Sequence, residues 1–357
     1  MRHLELFAGV GGFRRALDLI SKDTDIHFES VGFSEIDAKA HVTYTSNYEI
    51  GEEEAILGDI SAFVSSSERV KALPDFDLLT GGFPCQTFSM MGQLDGFNGD
   101  RGQMFFKILN ILGRKNPRYV LLENVKNLFT HNNGRTYNRI KTELEDLGYS
   151  VISGIFNSAD YELPQIRNRV FIFGSKDPLP INDLSSQDVR ANLELNLENC
   201  SINRYNDVLD VLSTEVDPRY YLSERVKPTI LSDGTGGYSA KSEINRRIAR
   251  PLTASMHKMH RACQDNYYCD DFILSRGKDN NTIALSKKEQ CKMNIRRITP
   301  EEAFILQGFP VDFVHNARRA GVANGSLYKQ AGNAVSVNTV YAIVLYLINN
   351  GFINEQR

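Results

Sequence analysis

Strand-like and helix-like stretches alternate through the first half of this chain, and that alternation restricts its fold more than any other feature. Leu4-Glu5-Leu6-Phe7 reads as a short strand, Gly9 to Gly12 as a turn, and Phe13 to Ile20 as a helix by its apolar spacing. His27 to Glu35 is β-rich, Asp75 to Thr80 is another strand, and Met104 to Leu112 is a helix. Arg118 to Glu123 reads as a strand and Tyr137 to Leu147 as the helix after it. Strands separated by helices form a mostly parallel sheet covered on both faces. Tyr149 to Phe156 and Arg169 to Gly174 have no helix between them and are expected as an antiparallel edge pair.

The pattern breaks after Gly174. Asp177-Pro178-Leu179-Pro180 has the character of a linker. From about Ser175 to Lys292 periodicity is weak, and turns such as Ser232 to Gly237 recur. This region is expected to be a smaller, irregular, β-containing domain. Helical character returns at Thr299, a good N-cap with Pro300 in the first helical position and Glu302 placed for a capping box. Val335 to Ile348 reads as an apolar helix able to pack back on the first domain. The expected division is 1–175, 176–292 and 293–357, with the last segment returning to the first.

Composition narrows the class. With 41% hydrophobic and 24% charged residues, the 357-residue chain can bury a sizeable core, and no apolar run is expected to span a bilayer. The first residues lead straight into a strand, so no secretory signal is expected. The five cysteines (85, 200, 263, 269 and 291) have no close-spaced framework and fit free thiols in a reducing cytoplasm. Net charge is -3, which does not advertise nucleic-acid binding, but the distribution is uneven. From Lys241 to Arg261 six basic residues stand against one acidic one, whereas Asp183 to Asp217 holds eight acidic and two basic. A local basic patch of this kind either contacts phosphates or is a solvated face.

Several short motifs carry chemistry. Phe7-Ala8-Gly9-Val10-Gly11-Gly12 follows the first strand and opens a helix, where glycines let a ligand approach the backbone. Glu35 ends the second strand and can hold ribose hydroxyls or simply cap a helix. Asp59, in Gly58-Asp59-Ile60, can accept from an adenine amino group or serve as an N-cap. Gly81-Gly82-Phe83-Pro84-Cys85-Gln86 puts a thiol in a tight loop directly after a strand, suited to a nucleophile, although a small buried side chain is the plainer alternative. Glu123 ends the neighbouring strand and can offer a proton or hydrogen bond to a heterocycle nitrogen, or cap a helix. Gln165, Arg167 and Arg169 alternate, which puts them on one side of an extended segment, for an anionic or carbonyl-bearing base or for structural ion pairs. His257, His260, Cys263 and Cys269 do not have a familiar zinc spacing and are read as polar loop residues, with no metal expected.

Together and in this order, these motifs resemble the C5-cytosine DNA methyltransferase family. Asp100-Arg101-Gly102, Arg296 to Ala303, Leu306-Gln307-Gly308-Phe309-Pro310 and Tyr328 to Val335 extend the likeness over all but about Ser175 to Lys292. The resemblance implies a Rossmann-like methyltransferase fold, S-adenosylmethionine as methyl donor, and double-stranded DNA as substrate. It implies a cofactor pocket of Phe7, Ala8, Gly9, Gly11, Glu35, Ile36, Asp59, Ile60, Pro84, Met104, Asn333 and Ala334. Cys85 would attack C6 of a cytosine extruded from the duplex while Glu123 engages N3 and Arg169 the O2 side, with Arg167 in support. Gln86, Ser89, Arg101 and Gln165 would face the substrate, and Arg250, Thr253, Lys258 and Arg261 would contact DNA from the middle, target-recognition region. The glycine-rich stretch from Ser89 to Gly102 suits a loop that closes over the site.

The chain is expected to act as a monomeric bacterial enzyme of the restriction-modification type, its nuclease encoded separately. Alternatives are a tRNA cytosine-5 methyltransferase of the same fold, a DNA-binding regulator without activity, and, on the glycine turn alone, a dinucleotide oxidoreductase.

Overall fold

The computed structural model describes residues 1–84, 104–235, 238–239, 241–258, 260, 263–278 and 285–355. The chain forms two compact units. The first comprises Met1–Asn157, Asn168–Ile202 and Val335–Arg357, and the second Ser158–Arg167 and Asn203–Ala334.

The first unit is built on a seven-stranded sheet. Its elements are β1 (Arg2–Leu6), α1 (Gly12–Asp23), β2 (Glu29–Phe33), α2 (Ala38–Thr45), β3 (Ala55–Ile56), α3 (Ile60–Val64), α4 (Ser67–Ala72), β4 (Leu78–Gly82), α5 (Met104–Lys115), β5 (Tyr119–Val125), α6 (Arg135–Asp146), β6 (Ser150–Asn157), β7 (Asn168–Ser175) and α7 (Ser186–Asn196). The strand order is β3-β2-β1-β4-β5-β7-β6. The first five strands are parallel, and β7 is antiparallel to both β5 and β6. The expected antiparallel pair is therefore present, with β7 inserted inside the sheet and β6 at the edge. The order reverses between β1 and β4, which opens a crevice beyond the carboxyl ends of those two strands. One face of the sheet packs an apolar core that includes Leu4, Leu6, Leu79, Val120 and Leu122, with Phe105 and Ile108 of α5.

The second unit is less regular. It holds α8 (Lys227–Ile230), short β8 (Gly234–Thr235) and β9 (Tyr238–Ser239), β10 (Tyr267–Cys269), α9 (Asp270–Leu274), α10 (Lys287–Gln290), β11 (Ile295–Arg297), α11 (Pro300–Ile305), α12 (Val311–Arg319) and α13 (Asn324–Asn333). The capping box expected at Thr299 is formed: its hydroxyl accepts from the Glu302 N–H, and the Glu302 carboxylate accepts from the Thr299 N–H. Glu302 also holds Arg296 in a buried two-pronged ion pair at 2.8 and 2.9 Å.

The unit boundaries differ from those read in the sequence, for reasons visible in the pairing. β11 pairs antiparallel with β10, so the chain beyond residue 292 continues the second unit instead of leaving it. Residues 176–202 stay with the first unit because α7 packs on β6 and on α14 (Val337–Asn349). Only from Val335 does the chain rejoin the first unit, where α14 lies against α1. The stretch Asn324–Asn349 has the length and composition to cross a bilayer, contrary to the expectation that no run does, but most of it is buried inside the protein.

Candidate active site

The carboxyl ends of the parallel strands gather the predicted residues of the first unit. After β1 the chain turns sharply: Phe7, Gly9 and Gly11 all take left-handed backbone, at φ 54°, 56° and 83°. For Phe7 such a conformation is costly and persists only because its surroundings impose it. For Gly11 a side chain is excluded outright, since a Cβ there would lie 2.4 Å from the ring of Tyr48. The Tyr48 hydroxyl donates to the Gly11 carbonyl at 2.6 Å, which fixes the turn from below. Gly12 is hemmed in by the other end of the chain, as a Cβ there would meet the Val335 carbonyl at 2.6 Å. The C-terminal return thus reaches the glycine turn.

Glu35 stands just past β2 and joins two elements. One carboxylate oxygen accepts from the Gly9 N–H at 2.7 Å and the other from the Asp37 N–H at 2.6 Å. Each oxygen keeps a further lone pair for an incoming hydroxyl. Ile36, next to it, is 74% exposed, an apolar side chain left open among the described residues. Asp59 is the N-cap of α3 and accepts from the Ser61 N–H at 2.8 Å, so the capping reading of this residue is realised; its side chain is also exposed. Ile60 begins α3 and is buried. Ala8 is buried, Pro84 is exposed just past β4, and Met104 opens α5. Turn, carboxylate and open apolar side chain together suit a nucleoside.

Glu123 occupies the end of β5 and pairs across the sheet with Gly82 of β4. It is 8% exposed. Its Oε1 accepts from Arg169 Nε at 2.8 Å, an ion pair in which the guanidinium is itself mostly covered. Its other oxygen, Oε2, lies 3.3 Å from where a Cβ on Gly82 would stand, on the side of β4. The carboxylate is therefore anchored by one oxygen and presents the other beside the strand that leads to Pro84. Asn124 adds a second tie: its amide donates to the Phe83 carbonyl at 2.9 Å and fixes the start of that loop. Cys85, Gln86, Ser89 and Arg101 lie outside the described residues, as does Arg261.

The three alternating residues separate. Strand β7 begins only at Asn168, so Arg169 lies in the sheet opposite Val125 and engages Glu123. Gln165 and Arg167 belong to the second unit. Both are buried and both engage Leu252: Gln165 accepts from its N–H at 3.1 Å, and Arg167 donates to its carbonyl at 3.3 Å. Common sidedness thus holds for the first two only. The physical reason is the bridge of Gln165 to Ala249, which binds this segment to the second unit before the strand starts.

The basic patch is largely neutralised within the second unit. Glu243 pairs with Arg246 at 2.5 Å and with Arg250 at 3.5 Å, and Lys241 lies 3.6 Å away. Arg247 pairs with Asp207. Arg250 is mostly covered and also donates to the Glu243 carbonyl. Thr253 is half-buried and Lys258 exposed. Asn333 is exposed at the end of α13, and Ala334 after it is buried. His260 engages the Tyr267 hydroxyl and Cys269 the Asn245 amide, and among the described residues no group of three metal-ligating side chains converges.

Sequence reasoning assigned no role to Tyr48 or Asn124, or to the polar side chains beneath the glycine turn. Arg14 donates to Glu54 at 2.6 Å and lies over the Tyr48 ring, and the Tyr44 hydroxyl donates to the fully buried Glu5. One signal was available: Glu5 is charged in a strand of a sheet expected to be mostly parallel and covered on both faces, where both faces are normally apolar.

The profile of the C-5 cytosine-specific DNA methylase family matches residues 1–349. Type II methyltransferase M1.ScrFI of Lactococcus lactis subsp. cremoris is 34% identical over 340 residues, 95% of this chain and 76% of that enzyme. Type II methyltransferase M.Bsp6I of Bacillus sp. (strain RFL6) is 33% identical over 340 residues, 95% of each. The crystal structure of the S. pombe Dnmt2 methyltransferase superposes with a TM-score of 0.73 at 22% identity, covering 99% of this chain and 100% of that one, a likeness of fold.

Proposed function

Because this chain belongs to the C-5 cytosine-specific DNA methylase family, we propose that it methylates C5 of a cytosine extruded from a specific duplex sequence, through a covalent bond from Cys85 to C6. S-adenosylmethionine fits the glycine turn, the Glu35 carboxylate and the bare face of Ile36, and when bound it supplies an electrophilic methyl group. Glu35 takes the ribose hydroxyls, Ile36 lies on the adenine, and Asp59 accepts from its amino group. Phe7, Ala8, Gly9, Gly11, Ile60, Pro84, Met104, Asn333 and Ala334 are the other proposed cofactor contacts.

C5 of cytosine is a poor nucleophile until C6 has gained a substituent. The Cys85 thiolate adds to C6, and the free oxygen of Glu123 hydrogen-bonds or protonates N3, so the ring becomes an enamine. That enamine makes C5 nucleophilic toward the methyl group that S-adenosylmethionine, held by the glycine turn, Glu35 and Ile36, would supply, with breakage of its sulfur–methyl bond leaving S-adenosylhomocysteine. A base removes the C5 proton, the C5–C6 double bond re-forms, and the thiolate leaves. Arg169 holds Glu123 in place and reaches the O2 side of the ring. Gln86, Ser89 and Arg101 contact the substrate near the nucleophile, and Thr253, Lys258 and Arg261 contact DNA. The target base is unreachable inside the duplex, so extrusion is required. We further propose a monomer, close to the nucleoid, with a separately encoded cognate endonuclease.

The observation that carries this reading is the anchored Glu123 carboxylate beside the strand that runs into Pro84-Cys85. Bisulfite sequencing of DNA from cells that lack cytosine methylation and express this chain tests it. One short sequence methylated at nearly every occurrence is expected. Unmethylated DNA alongside newly methylated tRNA would transfer the assignment to the RNA branch.

A further inference from the structure

Among the described residues, Arg167 offers its guanidinium to three backbone carbonyls. Nη1 donates to Leu252 at 3.3 Å, and Nη2 to Gly332 at 3.2 Å and to Ala334 at 2.8 Å. The residue is 2% exposed, among the most deeply buried charged side chains described. Two of the three carbonyls flank Asn333, whose own side chain is left exposed. Gln165, two residues earlier and fully buried, accepts from the Leu252 N–H and donates to the Leu306 carbonyl at 2.8 Å. The N–H and the carbonyl of Leu252 are thus both read by side chains of one short segment. That fixes the register of the next residue, Thr253, as a strand ladder would. The fit around Gly332 is tight, since a Cβ there would lie 2.3 Å from the Thr253 carbonyl carbon and 2.4 Å from the Ala254 nitrogen.

We propose that Arg167 is a positioning residue: it fixes the backbone on both sides of Asn333 and aligns Thr253, and it does not touch the base. A planar fork with five donors suits this task; a lysine ammonium cannot bridge the same carbonyls. The inference rests on the proposed reaction, because it assigns Arg167 an effect through two residues expected to meet cofactor and DNA.

The test measures the dissociation constant of radiolabelled S-adenosylmethionine by equilibrium dialysis, together with single-turnover methylation, for Arg167→Lys, Asn333→Ala and the double variant. Losing one charge-assisted hydrogen bond predicts about tenfold weaker cofactor binding in Arg167→Lys. The rate at saturating cofactor and DNA should stay within about threefold of the intact enzyme, the mark of lost binding without lost chemistry. The double variant should bind no more weakly than Asn333→Ala alone, since both changes disturb one turn. Additive losses, or a collapsed rate with unchanged binding, would overturn the proposal; the second would put Arg167 on the base. Should Arg167→Lys fail to fold, Arg167→Gln, which removes the buried charge but keeps a planar amide donor, takes its place and is expected to weaken cofactor binding likewise. Unchanged binding there also overturns it. An intact protein that methylates no DNA would sink the reaction itself, an outcome distinct from all of these.

Discussion

His3 and Glu5 lie on the face of β1 opposite Leu4 and Leu6, both fully buried, and their chemistry sets a pH dependence that can be worked out in sign. Burial raises the Glu5 carboxyl from 4.5 to about 8, against the opposing influence of Arg14 and the Tyr44 hydroxyl. Burial, with the charge of Arg14, lowers His3 from 6.5 to about 3. Between 4.5 and 8 the folded protein keeps a proton on Glu5 that the unfolded chain releases, so this contribution falls as pH rises. Between 6.5 and 3 the unfolded chain takes up a proton that folded His3 refuses, so that contribution falls as pH drops. The two cancel from 4.5 to 6.5, and from 6.5 to 8 only the Glu5 decline remains. Its slope is up to about 1.4 kcal/mol per pH unit. Urea unfolding across that upper range should show the decline in the intact protein and a flatter profile in Glu5→Gln. Equal slopes in both would mean that Glu5 does not hold its proton in the folded state.

At the scale of elements, the glycine turn and the strand ends were legible because their motifs sit where apolar runs stop, and the sheet places those stops on one edge. The capping box at Thr299 was legible because it is local, four residues long and built from side-chain chemistry. The basic stretch was less so. Its charges are adjacent in sequence, but Glu243 lies among them and Asp207 is brought in from elsewhere, so most of the patch is already paired. A consequence follows for DNA binding. Exposed Lys258 has no ion pair among the described residues, whereas Arg250 is held by Glu243. Lys258→Ala should reduce the slope of log affinity against log salt by about one. Arg250→Ala should leave that slope unchanged and lower the melting temperature instead. Fluorescence anisotropy at several salt concentrations measures the first, and a thermal melt the second. An equal loss of slope in both variants would show that Arg250 reaches phosphates.

Over the whole molecule, the sequence order of elements does not match the grouping in space. Residues 158–167 belong to the second unit although strands of the first lie on either side, and the chain rejoins the first unit only at Val335. Periodicity reports which residues are buried but not against which unit, so the alternating Gln165, Arg167 and Arg169 looked like one strand face and are divided between two units. The reaction depends on what the first unit assembles: the anchored Glu123, the glycine turn with Glu35, and the loop that starts at Pro84. The most direct test is covalent trapping. The protein, with S-adenosylmethionine, is incubated with a random-sequence duplex library carrying 5-fluorocytosine, whose C5 cannot lose a proton, and the adduct is mapped by peptide mass spectrometry. The account predicts a denaturant-stable complex joined at Cys85 and absent from Cys85→Ala. A folded, cofactor-binding protein that forms no such complex, or forms it at another cysteine, would contradict it.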